Sequence, residues 1–291
     1  NPKLHYRPHP KISLEVGIYA NKNFGNSGFD TLMPTLSLQV KERNWNFIFG
    51  NLEGSYSHKL VEPLFDFEKG IVNPIEQGIQ VKYNNGASYL DTWVDWQRNT
   101  KPGKYSQEHI SGGLSCLHKP LTLGAISFTF PLQVMVYHYG GQNIPISLPV
   151  RTLFNAAVGG NLSLQLATQQ KIIIENYLLG YAEDSIKGSA YMLNVRYQSR
   201  RFQCILTYWA ANKFDAPLGG DLYQSSSRKL GSNVYARQRS LAILRLIYST
   251  DISENMSCSI RIEPFYDFSI GKIEQSTGIY FIYRVPKLGF L

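Results

Sequence analysis

Hydrophobic and polar residues alternate with a period of two along nearly the whole chain. In one segment, Ile12, Leu14 and Val16 alternate with Ser13 and Glu15. Equally clean alternation occurs at 78–83, 90–97, 154–164, 190–197, 256–263 and 278–285. A period of two places successive side chains on opposite faces of a β-strand, and no long segment has the 3.6-residue period of a helix. The pattern therefore predicts an all-β protein.

The predicted strands are joined by short and long connections in turn. We expect about 14 strands, within a range of about 12 to 16, each of roughly 10–12 residues, which is the length of a transmembrane β-strand. Lys41–Asn44 and Asn84–Gly86 are short, whereas Lys59–Asn73 and Asn212–Arg237 are long. Glu183–Lys187, a tight turn in a long-loop position, is an exception. This arrangement is typical of a single antiparallel up-and-down transmembrane β-barrel with short periplasmic turns and longer extracellular loops.

Aromatic residues cluster at the predicted strand ends next to the short turns. Tyr83, Tyr197 and Tyr248 precede such turns, and Trp45 and Phe202 follow them. Outer-membrane barrels carry aromatic girdles at both membrane interfaces. These five residues are therefore expected to lie at one level of the membrane.

Composition narrows the class of protein further. The 291 residues are 43% hydrophobic and 17% charged, with a net charge of +8, and the mean hydropathy is −0.21. No apolar run is long enough for a transmembrane helix, and the apolar content excludes disorder. Lys and Arg form no cluster, so nucleic acid is not an expected partner. Cys116, Cys204 and Cys258 share the apolar parity of their strands, which predicts lipid-facing side chains rather than disulfides.

The chain resembles a Gram-negative outer-membrane β-barrel over essentially its whole length. Tyr89–Gln97 and Pro131–Gln142 are similar to uncharacterised, porin-like barrels of Bacteroidota-type bacteria. Many such barrels end in an aromatic residue, whereas Phe290 lies one position before the end. The resemblance implies outer-membrane lipid and lipopolysaccharide as surroundings, with other outer-membrane proteins as candidate partners. It transfers no catalytic or binding residue.

The expected topology divides the chain into two parts. Residues 1–10 form an N-terminal periplasmic segment, and residues 11–291 form the barrel. An even number of strands places both termini in the periplasm, on the side of the short turns.

Charged residues on the polar parity are candidates for lining a pore. Acidic candidates come from the first half of the chain and basic ones from the second: Glu15, Glu76, Asp91 and Asp95, then Arg151, Arg196, Arg239, Arg245, Arg261 and Arg284. Opposite walls of unlike charge would create a transverse field across the pore, and rings of arginine favour anions. Alternatively, the charges pair with each other, as Glu263 could with Arg261 or Arg284.

The longest connection, Asn212–Arg237, is too apolar for a free linker. Its candidate contact residues are Phe214, Tyr223, Arg228, Lys229 and Tyr235. We expect it to pack into the lumen as a constriction or against a partner outside, and the alternative is a hairpin that extends two strands.

Few residues in the sequence are candidates for a catalytic or metal-binding site. His109 and Ser111 have the spacing of a phospholipase-like pair on one strand, but no third member is evident. His58, His118 and His138 have no second ligand at metal spacing. The sequence therefore predicts no enzymatic activity, no catalytic residues, no metal and no cofactor.

The function expected from these patterns is a porin-like channel for small polar or anionic solutes. One alternative is a non-enzymatic structural or accessory subunit of a larger outer-membrane complex for assembly, secretion or nutrient uptake. The second alternative is a lipid-modifying outer-membrane enzyme.

Overall fold

The computed structural model describes residues 1–23, 25, 27–72, 74–98, 107–140, 149–225 and 238–283. These residues form one antiparallel sheet of 15 strands, in which every strand pairs with its neighbours in sequence. The strands are β1 (Lys3–His9), β2 (Ile12–Asn21), β3 (Thr31–Glu42), β4 (Trp45–Asn51), β5 (Gln77–Asn84), β6 (Ser88–Arg98), β7 (Glu108–Leu123), β8 (Ile126–Gly140), β9 (Arg151–Ala167), β10 (Gln170–Glu183), β11 (Ile186–Gln198), β12 (Phe202–Asn212), β13 (Gln238–Ser253), β14 (Met256–Asp267) and β15 (Lys272–Tyr283).

Helices occur only in the connections of the described chain. The helix α1 (Phe67–Val72) and the 3₁₀ helix Ser55–His58 lie between β4 and β5, and the 3₁₀ helix Asp221–Tyr223 follows β12. None of the described helices is long and apolar enough to cross a membrane.

The predicted alternation of connections is confirmed. Each connection that follows an odd-numbered strand contains two or three residues, as between β3 and β4. Of the seven connections on the other side, five contain nine or more residues, and those after β4 and β12 contain 25 each. The tight turns after β10 and β14 are the exceptions. The chain is therefore an up-and-down β-sheet with its long connections at one end.

The sheet is apolar outside and mixed or polar inside. On β9, Phe154 and Val158 are 49% and 52% exposed, whereas Leu153 and Asn155 are 2% and 1% exposed. This is the reverse of a soluble protein and is the arrangement that lipid requires. The residues expected at the membrane midplane all have the outward parity: Val94, Val158, Leu162, Leu193 and Ile260. The three cysteines are unpaired and share that parity.

The aromatic girdle is present at the end with the short turns. Trp45, Phe202 and Tyr248 are exposed on the outer face. The ring of Trp45 lies 4.8 Å from that of Tyr83. Tyr197 lies on the outer face of the sheet, on β11. The five aromatic residues therefore follow the expected pattern.

The sheet must be strongly curved, because one short segment contacts distant strands. His58 bonds to Asp91 on β6, and Glu62 bonds to Arg245 on β13. In a flat sheet these two strands would lie about 34 Å apart, at about 4.8 Å for each of seven steps. Five extended residues reach at most about 17 Å. The sheet therefore wraps around this segment as a barrel.

At the N-terminus, the structure places Lys3–His9 in the sheet as β1, paired with β2. The sequence predicts a separate N-terminal periplasmic segment at 1–10 instead. The count of 15 lies within the expected range, and the even number on which the placement of both termini rests stays a prediction.

Candidate functional site

Two long connections enter the lumen and join each other there. We call residues 52–72 and 74–76 the first inner segment and residues 213–225 the second. The amide of Gly220 donates to the carbonyl of Glu62 at 3.0 Å, and Lys69 Nζ donates to two carbonyls of the second segment at 2.9 and 3.0 Å. The two segments therefore form one body inside the barrel, which we call the plug.

The second inner segment fills the lumen with aromatic side chains. Phe214 and Tyr223 are almost completely buried, and their rings lie 5.4 and 5.2 Å from the ring of Trp209 on β12. Burial raises the pKa of the Tyr223 hydroxyl well above its usual value. The described part of the longest connection thus packs inward. Arg228, Lys229 and Tyr235 lie outside the described residues.

The first inner segment is tied to one wall through His58, which is only 1% exposed. Its Nδ1 lies 2.9 Å from Asp91 Oδ2, and its Nε2 lies 2.9 Å from Glu76 Oε2. The imidazole stacks on Trp93 at 3.5 Å between ring centroids. Burial lowers the pKa of His58, but the hydrogen bonds and charges of Asp91 and Glu76 outweigh it, so the pKa is raised. With both ring nitrogens held, His58 serves as a cationic anchor rather than a base.

Glu62 ties the same segment to the opposite wall. Its carboxylate lies 2.7 Å from Arg245 on β13 and 3.6 Å from Arg261 on β14. Both arginines also contact Glu263, which is buried. The hydroxyl of Tyr223 donates to Glu62 at 3.2 Å. This cluster holds four charges in a mostly buried site, which is stable only while each is paired.

The predicted pore-lining arginines are paired with carboxylates. Besides Arg245 and Arg261, the pairs are Arg151 with Glu183 at 2.5 Å, Arg196 with Glu175 at 3.0 Å, and Arg239 with Asp267 at 3.3 Å. The structure thus contains the pairing that the sequence left open, including that of Glu263 with Arg261. Arg284 lies outside the described residues.

The acidic candidates are also engaged. Asp91 and Glu76 hold His58, and Asp95 accepts a hydrogen bond from the amide of Gln77 at 2.8 Å. Glu15 lies near the sheet edge, 3.1 Å from Lys3. The structure therefore brings Asp91, Arg245 and Arg261 to the plug and leaves Glu15 remote from it.

His109 and Ser111 both face the lumen from β7 but do not contact each other in the structure. Ser111 is buried and accepts a hydrogen bond from Gln97 at 3.1 Å. His109 packs edge-on against Tyr139, with ring centroids 4.6 Å apart. Within the described residues, no three His, Cys, Asp or Glu side chains are grouped as a metal site requires.

Two other histidines form pairs with hydroxyl groups on the outer face. At the long-loop end, His138 Nδ1 on β8 lies 3.0 Å from Thr152 Oγ1 on β9. At the short-turn end, His118 Nδ1 lies 2.8 Å from Ser88 Oγ. Phe154 follows Thr152 on the outer face of β9, so the His138–Thr152 pair lies at the edge of the apolar band.

The His138 ring is seated over a glycine. Its Nε2 lies 2.9 Å from the position that a Cβ on Gly140 would occupy, so a larger residue would displace the ring. Glu108 is the ladder partner of Gly140 and has the outward parity of β7. A carboxylate, an imidazole and a hydroxyl thus follow one another on three adjacent strands. Sequence reasoning missed Thr152, although a hydroxyl at the end of the outward apolar parity of β9 was a visible signal.

The proteins that this chain is similar to are consistent with its fold. A family model described as lipid A 3'-O-deacylase-type matches residues 1–288. The chain belongs to this family. Among curated proteins, no relative matches the chain.

Solved structures of outer-membrane proteins share the fold. The trimer form of OmpT, an outer membrane protein of Vibrio cholerae, has a TM-score of 0.56 at 8% identity, covering 97% of this chain and 89% of OmpT. A loop-deletion mutant of the same protein has a TM-score of 0.54 at 11% identity, covering 97% and 88%. An anion-selective porin from Comamonas acidovorans has a TM-score of 0.50 at 10% identity, covering 96% and 85%. The protein is therefore an outer-membrane β-barrel with a porin-like fold.

The family match corrects one expectation. The sequence predicts no enzymatic activity, because the His109–Ser111 pair lacks a third member. A lipid A 3'-O-deacylase-type family is an enzyme family, so that prediction is wrong. The expectation rested on motif spacing within one strand, whereas the outer polar pairs join residues of neighbouring strands.

Proposed function

We propose that this protein is an outer-membrane hydrolase that removes a fatty acyl chain from a lipid A-type lipid. The observation that carries the proposal is the His138–Thr152 pair, which faces outward at the edge of the apolar band. The family to which the chain belongs supports an ester of this class as the substrate. An outward site meets the lipid directly, without a path through the lumen.

The geometry suits nucleophilic catalysis. With Nδ1 of His138 unprotonated, the Thr152 hydroxyl donates to it at 3.0 Å. As Thr152 Oγ1 attacks the ester carbonyl carbon, His138 takes the hydroxyl proton and then passes it to the departing sugar alkoxide. Water then attacks the acyl-threonine, which releases the fatty acid and restores the hydroxyl. Glu108 has the outward parity of β7 and is the ladder partner of Gly140, and we propose that it orients the imidazolium.

The arginines at this rim do not add to the outer site. Arg98 ends β6 opposite His109, which faces the lumen, and Arg151 begins β9 and pairs with Glu183. The proposal requires the long-loop end to face outward, where lipopolysaccharide lies.

The test is mass spectrometry of lipid A from a Gram-negative host that lacks deacylases of its own. Expression of the unaltered protein should yield lipid A that lacks one acyl chain. Thr152→Val, which keeps the shape of the side chain, and His138→Gln should each lower the deacylated fraction formed per unit time about a hundredfold or more.

Two matched variants distinguish the His138–Thr152 pair from the two other pairs of a histidine and a serine. Ser88→Ala removes the hydroxyl of the other outer pair, and Ser111→Ala removes that of the lumen pair. Both should leave deacylation unchanged. Loss of activity in Ser111→Ala but not in Thr152→Val would move the active site to the lumen. An unchanged lipid A profile with the unaltered protein would refute the hydrolase proposal.

The finer porin interpretation, a channel for small polar or anionic solutes, has less support. The plug crosses the lumen, and the described wall arginines are paired with carboxylates. A role as an accessory subunit, and outer-membrane partners generally, stay predictions.

A further inference from the structure

Residues 58–62 cross the lumen as a strap that is not part of the sheet. The backbone of this strap bonds to a side chain of the wall. Val61 N donates to Gln133 Oε1 at 2.9 Å, and Gln133 Nε2 donates to the carbonyl of Lys59 at 2.9 Å. The position of the strap therefore depends on side chains.

Charge pairs hold the two ends of the strap on opposite walls. His58 lies between Asp91 and Glu76, and Glu62 lies between Arg245 and Arg261. Removing one partner of such a pair leaves a buried charge uncompensated, which strongly favours exposure to water. The strap is therefore held by contacts that a change of charge can release.

A polar cavity already occupies the lumen on the short-turn side of the strap. Its volume is about 250 Å³. Its wall comes from the strap and from Glu175, Asn194, Arg196 and Thr207 on β10, β11 and β12. On the long-loop side, the lumen is closed by the aromatic cluster around Trp209. A polar space thus lies on one side of the strap, and the aromatic side chains of the plug fill the lumen on the other side.

We propose that the protein has a second activity, a gated conductance for small hydrated ions and polar solutes, with the plug as its gate and the strap as its latch. Because the two inner segments are joined, as between Gly220 and Glu62, release of the strap loosens the whole plug. Local unfolding of the plug leaves the hydrogen-bonded barrel intact. This proposal is independent of the outer-face hydrolase, which does not use the lumen.

The test is conductance of the purified full-length protein in planar lipid bilayers. The unaltered protein should show rare, brief openings. The double variant His58→Gln/Glu62→Gln removes the imidazolium from between Asp91 and Glu76 and removes one of the two carboxylates that Arg245 contacts, and it should raise the open fraction about a hundredfold or more. Glu183→Gln is the matched control. It makes the same carboxylate-to-amide change at the Arg151 pair on the rim, away from the strap, and should behave like the unaltered protein.

Heat-modifiable migration on gels shows whether each variant keeps its barrel. A folded double variant with unchanged conductance would overturn the proposal, as would a steady open pore in the unaltered protein. If the double variant fails to fold, the two single variants decide. Each retains one anchor and should raise the open fraction, and unchanged conductance in both would refute the latch.

Discussion

At the scale of single residues, the partners of a charged group decide its role. His58 has no partner at short sequence spacing, and its carboxylates lie 18 and 33 residues away in the chain. Because His58 is buried between two carboxylates that only the fold brings to it, its positive charge depends on the folded state. The same holds for Arg245, which the sequence presents as pore lining and the structure places against Glu62.

The raised pKa of His58 makes stability depend on pH. The unfolded pKa is about 6.5, and the folded pKa is higher. The contribution to stability is therefore complete below about pH 6.5 and is lost as pH rises through the folded pKa. Each pH unit between the two values corresponds to about 1.4 kcal/mol.

We expect the unfolding midpoint of the unaltered protein to fall as pH rises from about 6.5 through the folded pKa of His58, and that of His58→Gln to lack this fall. Unfolding followed by gel mobility across a pH series measures both. Parallel curves for the two proteins would contradict the anchor. Asp95 and Lys59 also face this region. The pH dependence of the unaltered protein is therefore read as its difference from that of His58→Gln.

At the scale of elements, the two faces of a strand experience different solvents. Leu193 lies in the middle of β11 with the outward parity, and Asn194 next to it bonds to Thr207 and Glu175 in the lumen. Leu193→Arg should lower the free energy of unfolding by about 2–4 kcal/mol, because a charge near the midplane loses its hydration. Urea titration of the refolded protein in detergent or lipid measures this change.

The matched control places the same residue on the inner face. Ser163 on β9 has the lumen-facing parity and is half-buried, so Ser163→Arg should cost much less. Equal costs at the two positions would contradict the assignment of the faces. Asn194 is a poor control, because its side chain belongs to a hydrogen-bonded network.

At the scale of the whole molecule, the sorted connections predict orientation. A tag inserted at Gly28, in the long connection after β2, should react with antibody on intact cells. A tag at Asn85, in the short turn after β5, should react only after the outer membrane is opened. The reverse labelling would place the long-loop end in the periplasm, and the His138–Thr152 pair with it, away from lipopolysaccharide.

The sequence alone determined the barrel, its outward apolar face and the sorting of its connections. Strand period and turn length are local properties, and each can be seen within about a dozen residues. It also indicated that the longest connection is too apolar to remain in water, and Phe214 and Tyr223 are indeed buried.

Only the tertiary structure decided which residues meet. The sheet brings β6 and β13 to opposite sides of five residues, so His58 and Glu62 find partners that no spacing reveals. The register between β8 and β9 likewise joins His138 to Thr152, 14 residues apart. Such contacts depend on curvature and register, which are set by the closing of the whole sheet around its plug.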